Sequence, residues 1–246
     1  MQPKKEHYRR KLPHFQQPGQ RYSVTCTLNG AMPKGAMQKY SIKVEMARNR
    51  MEQLGIRLSP GVGLSKSDKI SNLGTSESQS PEFLFAEAKK EYQIALRKYR
   101  IAYNKVLNKS ALPGISLVKE VNRIIVEEAL LFWEGKRLTS HVWCIMSNHF
   151  HWILSVFEKD KNGKPVYLQD ILHSIKLFSA RRINVNENRS GQLWEEESFD
   201  TTIRNDRHFV NVLNYVILNP VSAGLVKDWR KWPGTRVFED TTFLSP

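Results

Sequence analysis

The sequence predicts one domain of mixed helices and strands that is interrupted by a helical insertion, and three observations predict it. Apolar runs rich in β-branched and aromatic residues at 21–28, 138–146 and 149–156 are typical of strands. Residues 168–184 carry apolar side chains at the three-and-four spacing of an amphipathic helix. Residues 33–111 differ from both, because charged, helix-forming segments there flank a stretch rich in Gly, Ser and Lys.

The N-terminal part of the chain predicts a basic segment, one strand and two helices. Residues 4–14 are basic and are expected to be extended, and the strand at 21–28 ends at an Asn-Gly turn signal. Residues 37–54 have a charged, helix-forming composition, whereas residues 57–81 lack periodicity and predict a linker. Apolar and aromatic side chains then recur at helical spacing over 81–107. We therefore expect an inserted helical hairpin with basic outer faces.

Shorter elements are predicted after the Pro113-Gly114 break. Ser116 is expected to cap a helix that runs to about Trp133. A second helix is expected to begin after Asn205-Asp206 and to be stopped by Asn219-Pro220. The remaining expected elements, in chain order, are strands at 138–146 and 149–156, a helix at 168–184, a loop at 186–191, extended pieces at 192–194 and 199–203, and a coil from Asp228 to Pro246.

The charge of the chain points to a polyanionic partner. Its 246 residues include 38 Lys and Arg against 24 Asp and Glu, a formal net charge of +14. An excess of this size favours nucleic acid ahead of a membrane surface. No apolar stretch approaches the roughly 18–20 residues that span a bilayer. We therefore expect no membrane partner.

The two cysteines and the N-terminal residues favour a cytoplasmic location. Cys26 and Cys144 are isolated, have strand-like apolar surroundings and lack a CxxC partner. We expect both to pack in the core, without a disulfide or a zinc site, as is typical of a reducing cytoplasm. The first seven residues are charged with no apolar segment behind them, so no secretory signal is visible.

His149-Phe150-His151, inside the apolar run 142–154, is the strongest local signal for chemistry. Because strand side chains alternate between faces, these two histidines point the same way and are about 7 Å or less apart. Such a pair can converge on one metal ion or one phosphate. A packed, hydrogen-bonded pair without a ligand is the other interpretation, and the pattern alone favours it.

A second candidate lies on the last predicted helix. Tyr215 and Asn219 are four residues apart and therefore share a helical face. A phenol that attacks phosphorus, with an amide oxygen as third metal ligand beside two histidines, would suit a phosphodiester-cleaving site. The alternative is a buried helical tyrosine with Asn219 acting only as a C-terminal stop. On the helix alone the alternative is favoured.

Six sequence elements occur in a specific order, and together they resemble the REP-associated tyrosine transposases, relatives of the smallest single-tyrosine HUH transposases of bacterial insertion sequences. The resemblance covers roughly residues 8–32 and 112–236. One departure is Ser147, which stands where the family usually has proline before the Asn-His step. The six elements are Arg10-Lys11-Leu12-Pro13-His14, Met146-Ser147-Asn148-His149-Phe150-His151, Ser174-Ile175-Lys176, Gly191-Gln192-Leu193-Trp194, Phe199-Asp200-Thr201-Thr202-Ile203-Arg204, and the run from Tyr215 through Asn219-Pro220 to Val226.

The resemblance implies an α+β fold, a ferredoxin-like antiparallel sheet with helices on one face, as in the HUH endonuclease core. It implies that His149 and His151 bind a metal on a central strand, that Tyr215 is the nucleophile, and that Asn219 is the third ligand. Related families use glutamine at this last position. The expected domains are the basic segment and first strand at 1–32, the helical insertion at 33–111, the remaining core at 112–236, and a tail at 237–246.

The resemblance further implies an enzyme that cleaves and rejoins single-stranded DNA bearing a hairpin from repetitive extragenic palindromes. The reaction would pass through a 5′-phosphotyrosine and use Mg²⁺ or Mn²⁺. Trp194 could stack on a base, although a core tryptophan is the more common case. The basic face of the inserted hairpin is a further candidate for contact with DNA backbone. The plausible phosphate contacts, each of which could equally be a solvated surface group, are Lys176, Arg181, Arg182 and Arg204.

Two other functions remain open from the sequence. A domesticated DNA-binding protein could keep the fold without cutting DNA, although the joint presence of His149, His151 and Tyr215 argues against it. A metal-dependent hydrolase of small molecules could use the same histidine pair with tightly bound zinc, and the charge of +14 argues against that. A monomer that uses its own Tyr215 and a homodimer that completes the site in trans are both compatible with the sequence.

Overall fold

The structure, a computed structural model, describes residues 7–9, 13–15, 17–57, 80–110 and 114–238. Parts of three predicted segments lie outside the described residues: 4–6 and 10–12 of the basic segment, 58–79 of the linker, and 239–246 of the tail. The chain forms two compact units, Met1–Ala31 with Ala111–Pro246, and Met32–Ser110. Among the described residues, no helix has the length and apolarity that crossing a membrane requires.

The first unit is built on a five-stranded antiparallel sheet. Its strands are β3 (Arg21–Thr27), β4 (Leu138–Ile145), β5 (His149–Val156), β6 (Phe199–Thr202) and β7 (Thr235–Val237). They lie in the order β6-β3-β5-β4-β7, so that the central strand β5 pairs with β3 and β4. In chain order, strands β3 to β6, with one helix of this unit between β3 and β4 and one between β5 and β6, follow the β-α-β-β-α-β sequence of a ferredoxin-like fold, which confirms the predicted fold class. A separate short pair is formed by β1 (His7–Arg9) and β2 (Pro13–Phe15).

Two helices, α3 (Glu120–Leu131) and α4 (Leu168–Asn186), belong to one side of the sheet. Trp194 joins α4 to that side, because its ring meets Phe150 of β5 edge-on and its Nε1 donates a hydrogen bond to Ser179 of α4. The opposite side is covered by α5 (Asp206–Ile217), followed by the one-turn helix α6 (Asn219–Ser222). Helices thus lie on both faces of the sheet, and not on one face as the resemblance implies, because α5 also has an apolar side to bury. The face of the sheet that carries Ile153 thus packs against α5.

Two local predictions were wrong. Helix α3 begins at Glu120 after Lys119, with no side-chain cap, and Ser116 does not cap it. The preceding segment is instead tied to the strand connection, since the Leu117 amide donates a hydrogen bond to the Ser147 carbonyl at 2.8 Å. The predicted C-terminal coil contains a single turn of 3-10 helix at Trp229–Lys231 and the edge strand β7, which pairs with β4.

The second unit consists of two packed helices, α1 (Gln38–Arg57) and α2 (Pro81–Leu107). Helix α2 begins where the sequence predicts, because the Ser80 side chain accepts a hydrogen bond from the Phe83 amide and Pro81 suits the first helical position. Arg50 of α1 and Glu91 of α2 form an ion pair at 2.7 Å.

Candidate active site

Strand β5 places the two histidines of the His-x-His motif side by side on the face of the sheet that α5 covers. The two Nε2 atoms are 3.1 Å apart and the ring centroids 4.7 Å apart. Both side chains are buried, with 0% exposure for His149 and 1% for His151. The alternation of the strand therefore produces two nitrogens that converge on one point.

The other nitrogen of each ring is held by a neighbour. Asn148 Oδ1 accepts a hydrogen bond from His149 Nδ1 at 2.7 Å, so the Nε2 of His149 carries a lone pair, which accepts from His151 Nε2 at 3.1 Å. Thr25 Oγ1 lies 2.9 Å from His151 Nδ1, and Thr25 faces His151 directly across the β3–β5 ladder. A hydroxyl can donate or accept, so Thr25 is compatible with either tautomer of His151.

Burial keeps both imidazoles neutral. It lowers the pKa of His151 to about 3. It also lowers the pKa of His149 well below its ordinary value, with a smaller contribution from the neighbouring His151. A neutral imidazole is the form that binds a metal ion.

The geometry of the pair fits a shared metal ion. Imidazole nitrogens bind first-row metals at about 2.0–2.1 Å, so two such ligands at 90–109° are about 2.9–3.4 Å apart. The observed separation of 3.1 Å lies in this range. Across the described part of the chain, however, no group of three His, Cys, Asp or Glu side chains is arranged to hold a metal. Within the described residues, a third protein ligand would be of another type, such as the amide of Asn219.

Helix α5 brings Tyr215 to the histidines. One side of this helix carries Phe209, Leu213, Val216 and Ile217, which pack in the apolar cluster on the sheet. Tyr215 lies beside that apolar side, and its ring meets His151 edge-on at a centroid distance of 5.5 Å. The tyrosine remains 42% exposed while the imidazoles behind it are buried. In this structure the phenol is thus accessible to a large partner, whereas the imidazoles are not.

Asn219 lies at the start of α6, one turn beyond Tyr215. Its side chain is 1% exposed, and its Nδ2 donates a weak hydrogen bond to the Tyr215 carbonyl at 3.5 Å. The Asn219 carbonyl also accepts from the Ala223 amide at 2.9 Å, within the turn that ends the helix. Asn219 thus lies at the junction of the two helices, and its buried amide is in contact with the backbone carbonyl of Tyr215.

The predicted DNA contacts are placed in different surroundings. Lys176 is half-buried and donates to the carbonyls of Glu195 and Glu196, at 2.8 and 3.1 Å. Arg182 pairs with Glu128 on α3, while Arg181 and Arg204 are exposed. The structure therefore leaves two of the four cations open to a phosphate.

Trp194 occupies the core in this structure. Its side chain is 3% exposed, its Nε1 donates to Ser179, and its ring packs on Phe150. In this arrangement the indole is not available to stack on a base, because both its faces and its polar atom belong to the interior.

Two residues that sequence reasoning did not single out complete the site. Thr25 and Asn148 hold the outer nitrogens of the histidines. Asn148 could have been noticed from its position before His149. Thr25 could not, because its role depends on the register in which β3 pairs with β5 across 126 residues of sequence.

Comparison with known proteins bears on the origin of this arrangement. No family model matches the chain. A Haemophilus influenzae protein named as a REP-associated tyrosine transposase is 28% identical over 101 residues, which are 39% of this chain and 57% of that protein. A solved REP-associated tyrosine transposase bound to a REP hairpin aligns with 93% of this chain and 80% of its own, at a TM-score of 0.40 and 12% identity.

The match to the Haemophilus protein spans little more than half of that relative's length. That protein is named in the same family that the ordered motifs resemble. The described structure adds a ferredoxin-like sheet on which His149, His151 and Tyr215 meet. The chain is thus similar in sequence to a REP-associated tyrosine transposase over 101 residues.

Proposed function

We propose that this protein is a DNA-cleaving and DNA-joining enzyme that uses Tyr215 as its nucleophile. The observation that carries the proposal is the convergence of three side chains from two separate elements. The Nε2 atoms of His149 and His151 are 3.1 Å apart, and the Tyr215 ring packs against the second imidazole. A histidine pair that served only the core would not require a half-exposed phenol at its edge.

The proposed reaction is a transesterification at phosphorus. The Tyr215 oxygen attacks the phosphorus atom and forms a new O–P bond, while the bond from phosphorus to the 3′-oxygen breaks. The phenol proton is lost to solvent, and the departing oxygen takes up a proton to become a 3′-hydroxyl. Because the 5′-phosphotyrosine conserves one phosphodiester bond, a second 3′-hydroxyl can reverse the step and join a new strand without ATP.

Activation of Tyr215 is the energetic problem of this reaction. An unperturbed tyrosine has a pKa of about 10, so little phenolate forms at neutral pH. A divalent ion held by His149 and His151, with the Asn219 amide as third ligand, would supply positive charge at the scissile phosphate. We propose Mg²⁺ or Mn²⁺, of which Mn²⁺ is the better match to nitrogen ligands.

We further propose that the substrate is single-stranded DNA carrying a hairpin. The net charge of +14 favours a polyanion. The family of the Haemophilus relative is named for its association with such palindromic elements. Arg181 and Arg204 are the exposed candidates for phosphate contact. Such a substrate would be met in the cytoplasm.

The test is covalent capture of DNA by the tyrosine. Purified protein with Mn²⁺ is incubated with a library of end-labelled, hairpin-bearing single strands, and the products are separated under denaturing conditions. We expect a protease-sensitive protein–DNA adduct that disappears in Tyr215→Phe and persists in Tyr40→Phe. Tyr40 is a suitable control because it is 37% exposed, close to the 42% of Tyr215.

Two results would decide against the proposal. Equal cleavage by Tyr215→Phe and the parent protein would exclude the tyrosine mechanism. Stoichiometric zinc in the purified protein, together with no adduct on any strand, would favour the small-molecule hydrolase instead.

A further inference from the structure

The second half of α2 is basic and contains no acidic residue. Residues 93–110 contain five lysines and arginines and no aspartate or glutamate. Five cations of α2 are exposed, and the four that share one side of the helix define what we term the cationic face: Lys90, Arg97, Lys98 and Lys105. None of the four forms an ion pair with another residue of the described ranges. Their charge is therefore not neutralised within the part of the chain that the structure describes.

The cationic face is a single surface of the helix. At 100° per residue, positions 90, 97, 98 and 105 fall within an arc of about 100°. The opposite side of α2 carries Ala88 and Tyr92, which are buried in the helix pair with α1. At 1.5 Å per residue, the cations extend over about 22 Å, the length of six to seven base steps at about 3.4 Å each.

The chemistry of this face favours nucleic acid over a lipid surface. A helix that lies in a membrane interface must bury a continuous apolar face, and the apolar side of α2 is already occupied by α1. Only Ile94 and Ile101 stand between the cations, with 45% and 59% exposure. Point charges spread along one side of a helix, with two separate isoleucines among them and no continuous apolar face, match the phosphates of a DNA backbone.

We propose that the cationic face is a second DNA-binding surface, contributed by the inserted unit and separate from the Tyr215 site. It contacts phosphates and so adds affinity without sequence preference. This role does not depend on cleavage, because a backbone contact on the inserted unit would be retained in a protein that cannot cut DNA.

The experiment measures binding by the full chain in a Tyr215→Phe background, so that cleavage cannot interfere. Affinity for a labelled 30-nucleotide DNA hairpin is followed by fluorescence anisotropy across a series of NaCl concentrations. The test variant is Arg97→Gln/Lys98→Gln/Lys105→Gln. The matched control, Lys159→Gln/Lys161→Gln/Lys164→Gln, removes the same charge from an exposed loop of the first unit.

We expect the α2 variant to bind at least tenfold more weakly near 0.1 M salt. We also expect its salt dependence to fall by about two to three in the slope of log affinity against log salt, since each neutralised phosphate contributes about 0.9. The loop control should stay within threefold of the parent. Circular dichroism should be unchanged, and the charge-preserving variant Arg97→Lys/Lys98→Arg/Lys105→Arg should keep its affinity.

Four outcomes would overturn the inference. The first is an α2 variant that binds like the parent, and the second is an equal loss in both glutamine variants, which would reflect net charge alone. The third is loss of binding to phosphatidylserine-containing vesicles with unchanged binding to the hairpin. A loss of affinity in the charge-preserving variant would likewise count against a phosphate contact.

Discussion

Each histidine of the site is oriented by one hydrogen bond from its outer nitrogen. Thr25 holds His151 from the neighbouring strand, and Asn148 holds His149 from the preceding residue. Both partners hold the ring in place, and Asn148, whose Oδ1 only accepts, also selects the tautomer whose inner nitrogen can bind a metal. The orientation of the pair therefore depends on residues that never reach the metal themselves.

Thr25→Val tests this dependence. Valine keeps the shape and burial of the side chain but removes the partner of His151 Nδ1, so we expect metal affinity to fall about 10- to 100-fold. Titration of Mn²⁺ followed by its electron paramagnetic resonance signal measures this directly, without any DNA. Thr25→Ser retains the hydroxyl and should bind nearly as the parent does. Unchanged affinity in Thr25→Val would mean that the hydroxyl has no part in orienting the ring.

At the scale of elements, the edge strand β7 is held by a close backbone approach. The Ile145 amide donates to the Gly234 carbonyl at 2.8 Å, and Trp232 Nε1 donates to the Ile145 carbonyl at 2.9 Å. A Cβ on Gly234 would lie 2.2 Å from that same carbonyl oxygen. Only glycine allows the chain to pass so near to the end of β4.

Gly234→Ala should therefore detach β7 locally. Because the obstructing atom belongs to the backbone, β4 and the Gly234 turn must separate, at a cost of about 1–3 kcal/mol. We expect the Ile145 amide to lose protection in hydrogen exchange and the midpoint of urea unfolding to fall. Gly163→Ala is the control, since it introduces strain at a φ of 72° in an exposed turn and has open space for its Cβ. Full protection of Ile145 in Gly234→Ala would contradict the steric argument.

The sequence predicts elements well where a local pattern defines them. Strand alternation predicts the shared face of His149 and His151. The helix expected after Asn205-Asp206 begins at Asp206, where the Asn205 side chain accepts a hydrogen bond from the His208 amide. The sequence did not predict β7, whose three residues acquire strand geometry only by pairing with β4. Ser116 was misassigned because the segment around it is held by the sheet rather than by a helix. Local propensity cannot report contacts of this kind.

At the scale of the whole molecule, both cysteines lie inside the sheet. Cys26 is on β3 and Cys144 on β4, and each is fully buried. Burial raises the pKa of the Cys144 thiol to about 12, and it also raises the pKa of Cys26. Since the thiolate is the reactive form, both groups should be inert in the folded protein near pH 8.

A thiol-reactive dye should therefore detect no thiol in the native protein and two after unfolding in urea. The two should become reactive together if the sheet unfolds as one cooperative unit. The same assay on Cys144→Ala, which leaves only Cys26, is the internal control. Rapid labelling of either thiol under native conditions would contradict the burial of its strand.

The position of β3 in the sheet has a consequence for synthesis of the chain. Both of its neighbours come later in the sequence: β5 ends at Val156 and β6 at Thr202. At about 5–20 residues per second, a ribosome needs on the order of 10–35 s after completing β3 to finish β6. Until β5 has been made, Thr25 has no His151 to orient and both edges of its strand are open; the second edge stays open until β6 follows. The nascent protein thus carries a strand with an open, aggregation-prone edge until nearly the entire core has been made.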